Sequence, residues 1–163
     1  MKYNIRDMEE NDWNEMEKIY ADGIKAGATF QKEVTSYEYW NKIYLKKCRL
    51  VICEDEKVIG WTAVRHISPR EAYNGVVELS IYIDRDYKGK GVGGALLNGL
   101  VKETERCDIW SIQAVILRDN LGSLRLHEKC GFRTIGIRDR VAKLPNGDWM
   151  DVVLMERRSK IIF

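Results

Sequence analysis

Hydrophobic and polar residues repeat along this chain with two periods, one typical of strands and the other of helices. From Leu79 to Asp84 the residues alternate between apolar and polar, which predicts a strand. After Gly94, apolar residues recur at helical spacing at positions 95, 96, 97, 100 and 101, which predicts a helix. A glycine-rich stretch lies between them. The middle of the chain therefore predicts a strand, a glycine-rich loop and a helix in direct succession.

The same patterns divide the rest of the chain into further helices and strands. One helix is predicted to begin after Asp7 or Asn11 and to stop near Gly23 to Gly27, and a second is predicted from Ser36 to just before Arg49. A third begins at Asn120. Strands are predicted over residues 3–6, 49–54, 58–66, 76–84, 111–117, 132–137 and 149–155. This order predicts an α/β fold, a mixed sheet with helices on both faces.

Length and composition are typical of an ordinary globular domain. We expect one domain over residues 1–163, because no linker, repeat or low-complexity stretch divides the chain. Hydrophobic residues make up 45% and charged residues 32%, which argues against disorder. The net charge of +2 is too small to indicate a nucleic-acid partner. No apolar run approaches about 18 residues, so we expect no membrane partner, no export and a cytoplasmic location.

The four cysteines and two histidines disfavour disulfides and metal sites. Cys48, Cys53, Cys107 and Cys130 include no Cys-x-x-Cys pair, and two histidines are few for a zinc site. We therefore expect reduced thiols and no bound metal.

The glycine-rich loop predicts an anion-binding site. Four glycines within residues 89–94 leave the backbone N–H groups uncovered, and the helix that follows points its unpaired N–H groups and positive dipole end into the loop. Such a loop binds phosphate oxygens, and Lys88 and Lys90 add positive charge at its rim.

Four interpretations of this loop are considered, namely three kinds of phosphate-binding site and a loop that binds no ligand. A P-loop is excluded because Ala95 and Leu96 stand where Lys and Ser/Thr would follow the last glycine. The motif Gly89-x-Gly91-x-x-Gly94 fits the fingerprint of dinucleotide-binding domains, but too little chain follows it to form a doubly wound sheet. A turn with no ligand has no need of four glycines, whose entropic cost is high. The third candidate is a loop that binds the pyrophosphate of a coenzyme A thioester, and it is favoured by a resemblance to a known family.

Two segments resemble the GNAT superfamily of N-acetyltransferases. Lys88–Gly93 is similar to the loop Arg/Gln-x-x-Gly-x-Gly/Ala that wraps the pyrophosphate of acetyl-CoA in that family, with Lys88 in place of the usual Arg or Gln. Asn120–Phe132 resembles the Asn-x-x-Ser/Ala…Glu-Lys-x-Gly-Phe helix that flanks the pantetheine arm. Within the superfamily, the phosphinothricin or methionine sulfoximine acetyltransferase type matches segments along nearly the whole chain: Ile19-Tyr20, Ala28–Phe30, Gly60-Trp61, Ala72-Tyr73, Val77–Ile83, Leu126–Lys129 and Gly147–Val153.

The resemblance implies the GNAT fold, with a mixed, mostly antiparallel central sheet, and acetyl-CoA as the acyl donor. It also implies that the protein assembles as a homodimer. The residues expected to hold the donor are Ile81, Tyr82, Ile83, Lys88, Gly89, Lys90, Gly91, Val92, Gly93, Gly94, Asn120, Ser123 and Lys129.

Two residues are candidates for acid and base catalysis. Glu78 interrupts an apolar strand, where a carboxylate is costly unless it is paired or employed, and the matching family glutamate is held to act as base. A structural ion pair is the alternative. His127 stands where many GNAT enzymes have a tyrosine near the thioester sulfur, so it is a candidate general acid. The alternative is a histidine with a packing or hydrogen-bonding role.

Three residues are candidates for binding the acceptor. Arg70 and Tyr73 could hold the carboxylate of an amino acid, since guanidinium binds carboxylate with two hydrogen bonds, and the alternative is a solvated loop. Phe30 either borders the acceptor pocket by resemblance or plugs the core. His66 is expected at the surface or rim. The tryptophans expected in the core are Trp40, Trp61 and Trp149.

These observations predict an acetyl-CoA-dependent N-acetyltransferase that acts directly, in a ternary complex, on a small amino acid of the phosphinothricin, methionine sulfoximine or methionine sulfone type. Other acceptors stay open, namely a polyamine, an aminoglycoside or a protein N-terminus. A non-catalytic acyl-CoA sensor is the alternative outside enzymes, and the presence of both Glu78 and His127 argues against it.

Overall fold

The computed structural model describes residues 2–163 and is built on a seven-stranded sheet with the strand order β1-β2-β3-β4-β5-β7-β6. Neighbouring strands are antiparallel except β4 and β5, so the expected mixed, mostly antiparallel sheet is confirmed. The strands are β1 Tyr3–Asp7, β2 Leu50–Glu54, β3 Lys57–His66, β4 Val76–Ile83, β5 Ser111–Leu117, β6 Arg133–Lys143 and β7 Trp149–Arg158. The helices are α1 Trp13–Lys25, α2 Tyr37–Ile43, α3 Val92–Arg106 and α4 Leu121–Lys129.

Helices cover both faces of this sheet, and strand alternation assigns the apolar residues of β3 to two separate cores. Trp61 and Ala63 point to one face, where they pack with α1 and α2 in an aromatic core that also holds Trp40. Val64 points to the other face and packs with the apolar side of α3. Ile59 packs on that face too, because the β2–β3 register shifts next to it and the bulge interrupts the alternation there. We call these the α1/α2 face and the α3/α4 face. The prediction of helices on both faces is confirmed.

The sheet opens between its two parallel strands. β4 and β5 are paired only from Val76↔Ser111 to Glu78↔Gln113, although β4 continues to Ile83 and β5 to Leu117. Beyond Glu78 the two strands therefore diverge and leave a gap in the middle of the sheet. The glycine-rich loop follows directly after the open end of β4.

The far edge of the sheet differs most from the sequence prediction. β6 and β7 are longer than expected and reach Lys143 and Arg158. The expectation that Trp149 lies in the core is wrong, because its side chain is 57% exposed. Trp149 pairs with Lys143 on the edge strand, beyond Val152, the last β7 residue with a partner on β5, so neither helical layer covers it. Trp40 and Trp61 are buried as expected.

No helix within residues 2–163 is long and apolar enough to cross a membrane. In the same range, no three His, Cys, Asp or Glu side chains cluster closely enough to hold a metal ion. The cysteines are free thiols.

Candidate active site

The glycine-rich loop adopts a backbone conformation that side chains disfavour. Gly89 has φ +74° and Gly91 has φ +81°, both in the left-handed region, which costs a residue with a Cβ atom about 1–2 kcal/mol. A Cβ atom added at either position would meet nothing within 4 Å. Glycine is therefore required by the backbone geometry and not by crowding, and the space in front of both residues is open to a ligand.

The first turn of α3 presents its free N–H groups to this open space. Gly91 is the N-cap residue, and its carbonyl accepts the first helical hydrogen bond, from Ala95 N at 3.0 Å. The N–H groups that precede Ala95 in the helix have no acceptor within it, and the positive end of the helix dipole adds to their attraction for anions. The exposed Lys88 and Lys90 flank the turn. This geometry suits a diphosphate group.

A cavity of about 240 Å³ lies beside the loop, between the end of α1 and the start of the loop. Lys25, Arg85 and Lys88 contribute cationic side chains to its wall, and Asp22 contributes one carboxylate. Ile83, the last residue of β4, also lines it. The excess of positive charge makes the cavity suitable for a further part of an anionic ligand bound at the loop.

Helix α4 borders the same opening from the other side. Asn120 caps α4, with its side-chain oxygen accepting a hydrogen bond from Ser123 N at 3.2 Å. A Cβ atom added at Gly93 would lie 3.1 Å from the side chain of Leu126, so α3 and α4 approach each other closely here and leave little room for a side chain. Lys129 is exposed in the last turn of α4. Asn120 and Ser123 thus lie at the N-terminal end of α4, and Lys129 lies at the other end.

The gap between β4 and β5 brings Ile81, Tyr82 and Ile83 into the candidate donor site. All three follow the last β4–β5 residue pair, so their backbone on the β5 side is not part of a continuous ladder. An extended ligand arm can pair with such a strand edge. The gap leads from the glycine-rich loop to Glu78, and this continuity makes it a path from the phosphate site to the candidate base.

His127 is buried in α4, with its side chain 2% exposed. Its Nδ1 donates a hydrogen bond to the carbonyl of Ser123 at 2.7 Å, which leaves Nε2 as an unprotonated acceptor. Nε2 is buried and has no partner among the described residues. Burial lowers the pKa of His127 below its ordinary value, so the neutral ring is favoured. This state can accept a hydrogen bond at Nε2, but it carries no proton there to donate.

Glu78 forms an ion pair on the α1/α2 face. Arg65 is its direct neighbour across β3 and β4, and Arg65 Nη2 donates to Glu78 Oε1 at 2.7 Å. Gln113, its neighbour on β5, donates from Nε2 to Glu78 Oε2 at 3.4 Å. Glu78 therefore lies at the point where the β4–β5 gap begins, and both carboxylate oxygens are oriented by side chains of adjacent strands.

The ion pair is weak enough to be exchanged. The Arg65 side chain is 47% exposed and that of Glu78 is 21% exposed, and pairs in such settings typically contribute about 0.2–1 kcal/mol. A charged ligand group that reached either side chain could replace this contact at little cost. The arrangement fits both interpretations of Glu78, since a paired carboxylate becomes available as a base once its partner is occupied.

A second polar contact on the α1/α2 face lies next to Glu78. Tyr44 and Ser80 share a hydrogen bond of 2.7 Å between their hydroxyl groups. Arg49 fixes the chain around Tyr44, because its guanidinium donates to the carbonyl of Asn41 in the last turn of α2 and to the carbonyls of Tyr44 and Leu45 just after it. Burial raises the pKa of Tyr44, so its phenol keeps its proton at neutral pH.

The loop with Phe30 lies along the α1/α2 face. Gln31 contacts the hydroxyl of Tyr20, and the ring of Tyr20 stacks on that of Tyr82 with centroids 4.7 Å apart. Phe30 itself is 36% exposed, so the alternative in which it plugs the core is not supported. Its exposed ring can instead border a pocket over this face.

Arg70 and Tyr73 lie on the exposed connection between β3 and β4. Arg70 N is held by Ser68 Oγ at 3.2 Å, and Tyr73 belongs to a single 3-10 turn, Glu71–Tyr73. Neither side chain contacts Glu78 in the structure, whereas Arg65 does. A shallow pocket of about 380 Å³ opens in this connection, and His66 lines it, in agreement with the expected rim position.

Comparison with known sequences decides the family. The sequence profile described as Acetyltransferase (GNAT) family matches residues 7–132. The chain belongs to the GNAT acetyltransferase family. This match includes β4, the glycine-rich loop and all of α4, so the geometry described above lies within the family's own region.

Relatives and solved structures of GNAT enzymes extend the match over nearly the whole chain. A phosphinothricin N-acetyltransferase of Alcaligenes faecalis is 31% identical, over 94% of this chain and 81% of its own length. An L-methionine sulfoximine/L-methionine sulfone acetyltransferase of Pseudomonas aeruginosa is 31% identical, over 61% of this chain and 58% of its own. A GNAT phosphinothricin acetyltransferase of Sinorhizobium meliloti, solved in complex with AcCoA, superposes with a TM-score of 0.85 at 26% identity, over 100% of this chain and 96% of that one.

Sequence reasoning missed three side chains of this GNAT site, namely Arg65, Gln113 and Tyr44. Arg65 and Gln113 reach Glu78 across neighbouring strands, and Tyr44 reaches Ser80 from beyond the end of α2. One signal was available for Arg65, because it is a charged residue near the end of the apolar strand β3 and Glu78 is a charged residue near the start of β4. Pairing the two required the register of the β3–β4 hairpin.

Proposed function

We propose that this GNAT enzyme transfers acetyl from acetyl-CoA to the α-amine of a small amino acid of the phosphinothricin, methionine sulfoximine or methionine sulfone type. The observation that carries the proposal is the position of Glu78, at the inner end of the β4–β5 gap and on the polar part of the α1/α2 face. The donor would enter along the gap and the acceptor from the α1/α2 face, so the two would meet at this carboxylate. The names of the relatives support the acceptor class.

The donor site would hold the cofactor mainly through backbone groups of the protein. The open loop at Gly89 and Gly91 and the first turn of α3 would bind the pyrophosphate, with Lys88 and Lys90 adding charge. The β4 edge at residues 81–83, together with Asn120 and Ser123, would border the pantetheine arm. When bound, acetyl-CoA supplies the acetyl group as an activated thioester.

Glu78 would act as the general base in a direct transfer. Its carboxylate would remove one proton from the acceptor ammonium, and the freed amine nitrogen would form a bond to the acetyl carbon. As the carbon–sulfur bond breaks, the nitrogen would give up a second proton and the leaving thiolate would take it up, so that the products are an amide and the thiol of CoA. His127 is proposed to lie near the sulfur, where its neutral ring would accept a hydrogen bond at Nε2. Phe30, Arg70 and Tyr73 are proposed to border the acceptor.

Direct transfer is favoured over an acyl-enzyme by the state of the cysteines. Cys48, Cys53 and Cys130 are buried, and burial raises the pKa of each thiol, which lowers its nucleophilicity. Free thiols also agree with the proposed cytoplasmic location.

A homodimer is proposed as the working assembly. β6 is an edge strand, and the apolar side chains exposed on it and at the start of β7 are Ile135, Ile137, Val141 and Trp149. An exposed apolar edge of this kind is a ready contact for a second chain. Light scattering after gel filtration should give twice the mass of 19.0 kDa, and a monomer at micromolar concentration would contradict the assembly.

A screen of acceptors with acetyl-CoA and a thiol reagent tests the function. Methionine sulfone, methionine sulfoximine and phosphinothricin should release CoA at a rate well above a polyamine, an aminoglycoside or a peptide with a free N-terminus. If CoA were released only with the polyamine, the aminoglycoside or the peptide, that compound would replace the proposed acceptor. Binding of CoA without turnover on any amine would indicate a sensor.

A further inference from the structure

We propose that Arg65 binds the α-carboxylate of the acceptor, so that the Arg65–Glu78 pair is a recognition site for an amino-acid zwitterion. This inference rests on the proposed N-acetyltransferase function and assigns the acceptor anchor within it. The two side chains are cross-strand neighbours, and their opposite charges lie side by side at 2.7 Å. An α-amino acid carries an ammonium and a carboxylate on one carbon atom. Its carboxylate can therefore face Arg65 while its ammonium faces Glu78.

The position of Arg65 leaves most of its hydrogen-bonding groups available. It donates one side-chain hydrogen bond within the described part of the chain, although a guanidinium has five N–H donors. With 47% of its side chain exposed, it can turn a second edge toward a ligand without losing a buried partner. Arginine binds a carboxylate with two parallel hydrogen bonds, which a single bond to Glu78 does not satisfy.

Carboxylate binding by Arg65 would also prepare Glu78 for its reaction. In the absence of acceptor, Arg65 neutralises the carboxylate of Glu78. Once Arg65 bonds with the acceptor carboxylate, Glu78 is left facing the ammonium on the neighbouring atom and can take its proton. Gln113 would keep the other oxygen of Glu78 in place during this exchange.

The charge of Arg65 also works against acceptors that lack a carboxylate. A polyamine or an aminoglycoside would bring its positive charges next to a guanidinium without offering a carboxylate for that guanidinium to bind. Arg70 is less suited to the α-carboxylate, because its side chain lies on the exposed β3–β4 connection and makes no contact with Glu78. Arg70 would instead face the outer end of the acceptor.

The test compares methionine sulfone with 3-(methylsulfonyl)propylamine, the same molecule without its carboxylate. Arg65→Met should lower kcat/KM for the amino acid roughly 10- to 150-fold, mainly through KM, because the contact exists before and during the reaction. For the amine, the same variant should match or exceed the wild type, since a repulsive charge is removed. Arg65→Lys should recover part of the loss for the amino acid.

Two further variants serve as comparisons. Arg133→Met breaks another cross-strand arginine pair, with Glu156 at 3.0 Å, and should leave the ratio of the two acceptors unchanged. Arg70→Met should change that ratio less than Arg65→Met does. Equal losses for both acceptors, no loss, or a larger change of the ratio in Arg70→Met would each overturn the assignment. If the wild type acetylates the amine but no amino acid, the zwitterion site is wrong, whereas absence of any acetylation would refute the proposed function itself.

Discussion

The two candidate sites, one on each face of the sheet, are built in different ways. On the α3/α4 face, the candidate donor site consists mainly of backbone, namely the left-handed turns at Gly89 and Gly91 and the first turn of α3. On the α1/α2 face, the site consists of side chains that meet across strands, namely Arg65, Glu78 and Gln113. A site made of backbone tolerates changes of side-chain identity, such as Lys88 in the loop, whereas a site made of side chains depends on each one.

The largest expected effect comes from a variant that impairs the acceptor site and leaves the donor site intact. Glu78→Gln keeps the shape of the residue but removes its basicity, so kcat should fall by about 10²- to 10⁴-fold. The dissociation constant of CoA, measured by calorimetry, should stay near that of the wild type. The matched control is Glu156→Gln, which removes a carboxylate from another cross-strand arginine pair, and it should retain its activity. Near-normal turnover in Glu78→Gln would mean that the Arg65–Glu78 pair is only structural.

A smaller effect is expected from a variant that impairs CoA binding at the donor site and leaves the acceptor site intact. Gly91→Val places a branched side chain at φ +81° and into the open space before α3, so the affinity for CoA should fall at least about 10-fold. Gly147→Val is the control, because Gly147 also has a positive φ, +93°, and open surroundings but lies in the β6–β7 turn. If both variants bind CoA equally well, the pyrophosphate is held elsewhere.

The difference between the faces also explains what the sequence could predict. The donor site was predictable because its chemistry depends on glycine spacing and on the start of a helix, and both are local features of residues 88–96. The order of elements and the mostly antiparallel sheet were predictable from periodicity and family resemblance. That residues 1–163 form one domain stays a prediction.

The acceptor side was less predictable because its contacts are not local. Glu78 could be singled out as a carboxylate in an apolar strand, but its partner Arg65 is 13 positions away and is brought to it by the register of a hairpin. Trp149 was misplaced for a similar reason. Its pattern is that of a buried strand residue, but its strand starts beyond the reach of the helices that would cover it.

A modest loss of stability should follow from Tyr44→Phe on the α1/α2 face. The variant removes the 2.7 Å hydrogen bond to Ser80 and leaves that hydroxyl without its partner, at a cost of about 0.5–1.5 kcal/mol. Chemical denaturation should measure this loss of unfolding free energy. Tyr39→Phe, at an exposed tyrosine of α2, is the control and should change stability little.

The smallest expected effect concerns pH and the α3/α4 face. Burial lowers the pKa of His127 in the folded chain below its ordinary value of 6.5, so the unfolded chain binds a proton first as the pH falls. Stability from this group is therefore complete above pH 6.5 and declines below it, by at most about 1.4 kcal/mol per pH unit. His127→Gln should show a flatter decline in melting temperature below pH 6.5, with His66→Gln as the matched histidine replacement. If the decline in melting temperature became equally flat in both variants, protonation of His127 would not be its cause.

Backbone amide NMR spectra, recorded during separate titrations, test the division between the two faces most directly. Adding CoA should shift the amide signals of residues 89–94 and of residues 81–83 at the open edge of β4. Adding methionine sulfone to the CoA complex should then shift the signals of Arg65, Glu78 and Tyr44. The account would be contradicted if CoA shifted only residues of the α1/α2 face, or if the amino acid shifted the glycine-rich loop and left Arg65 and Glu78 unchanged.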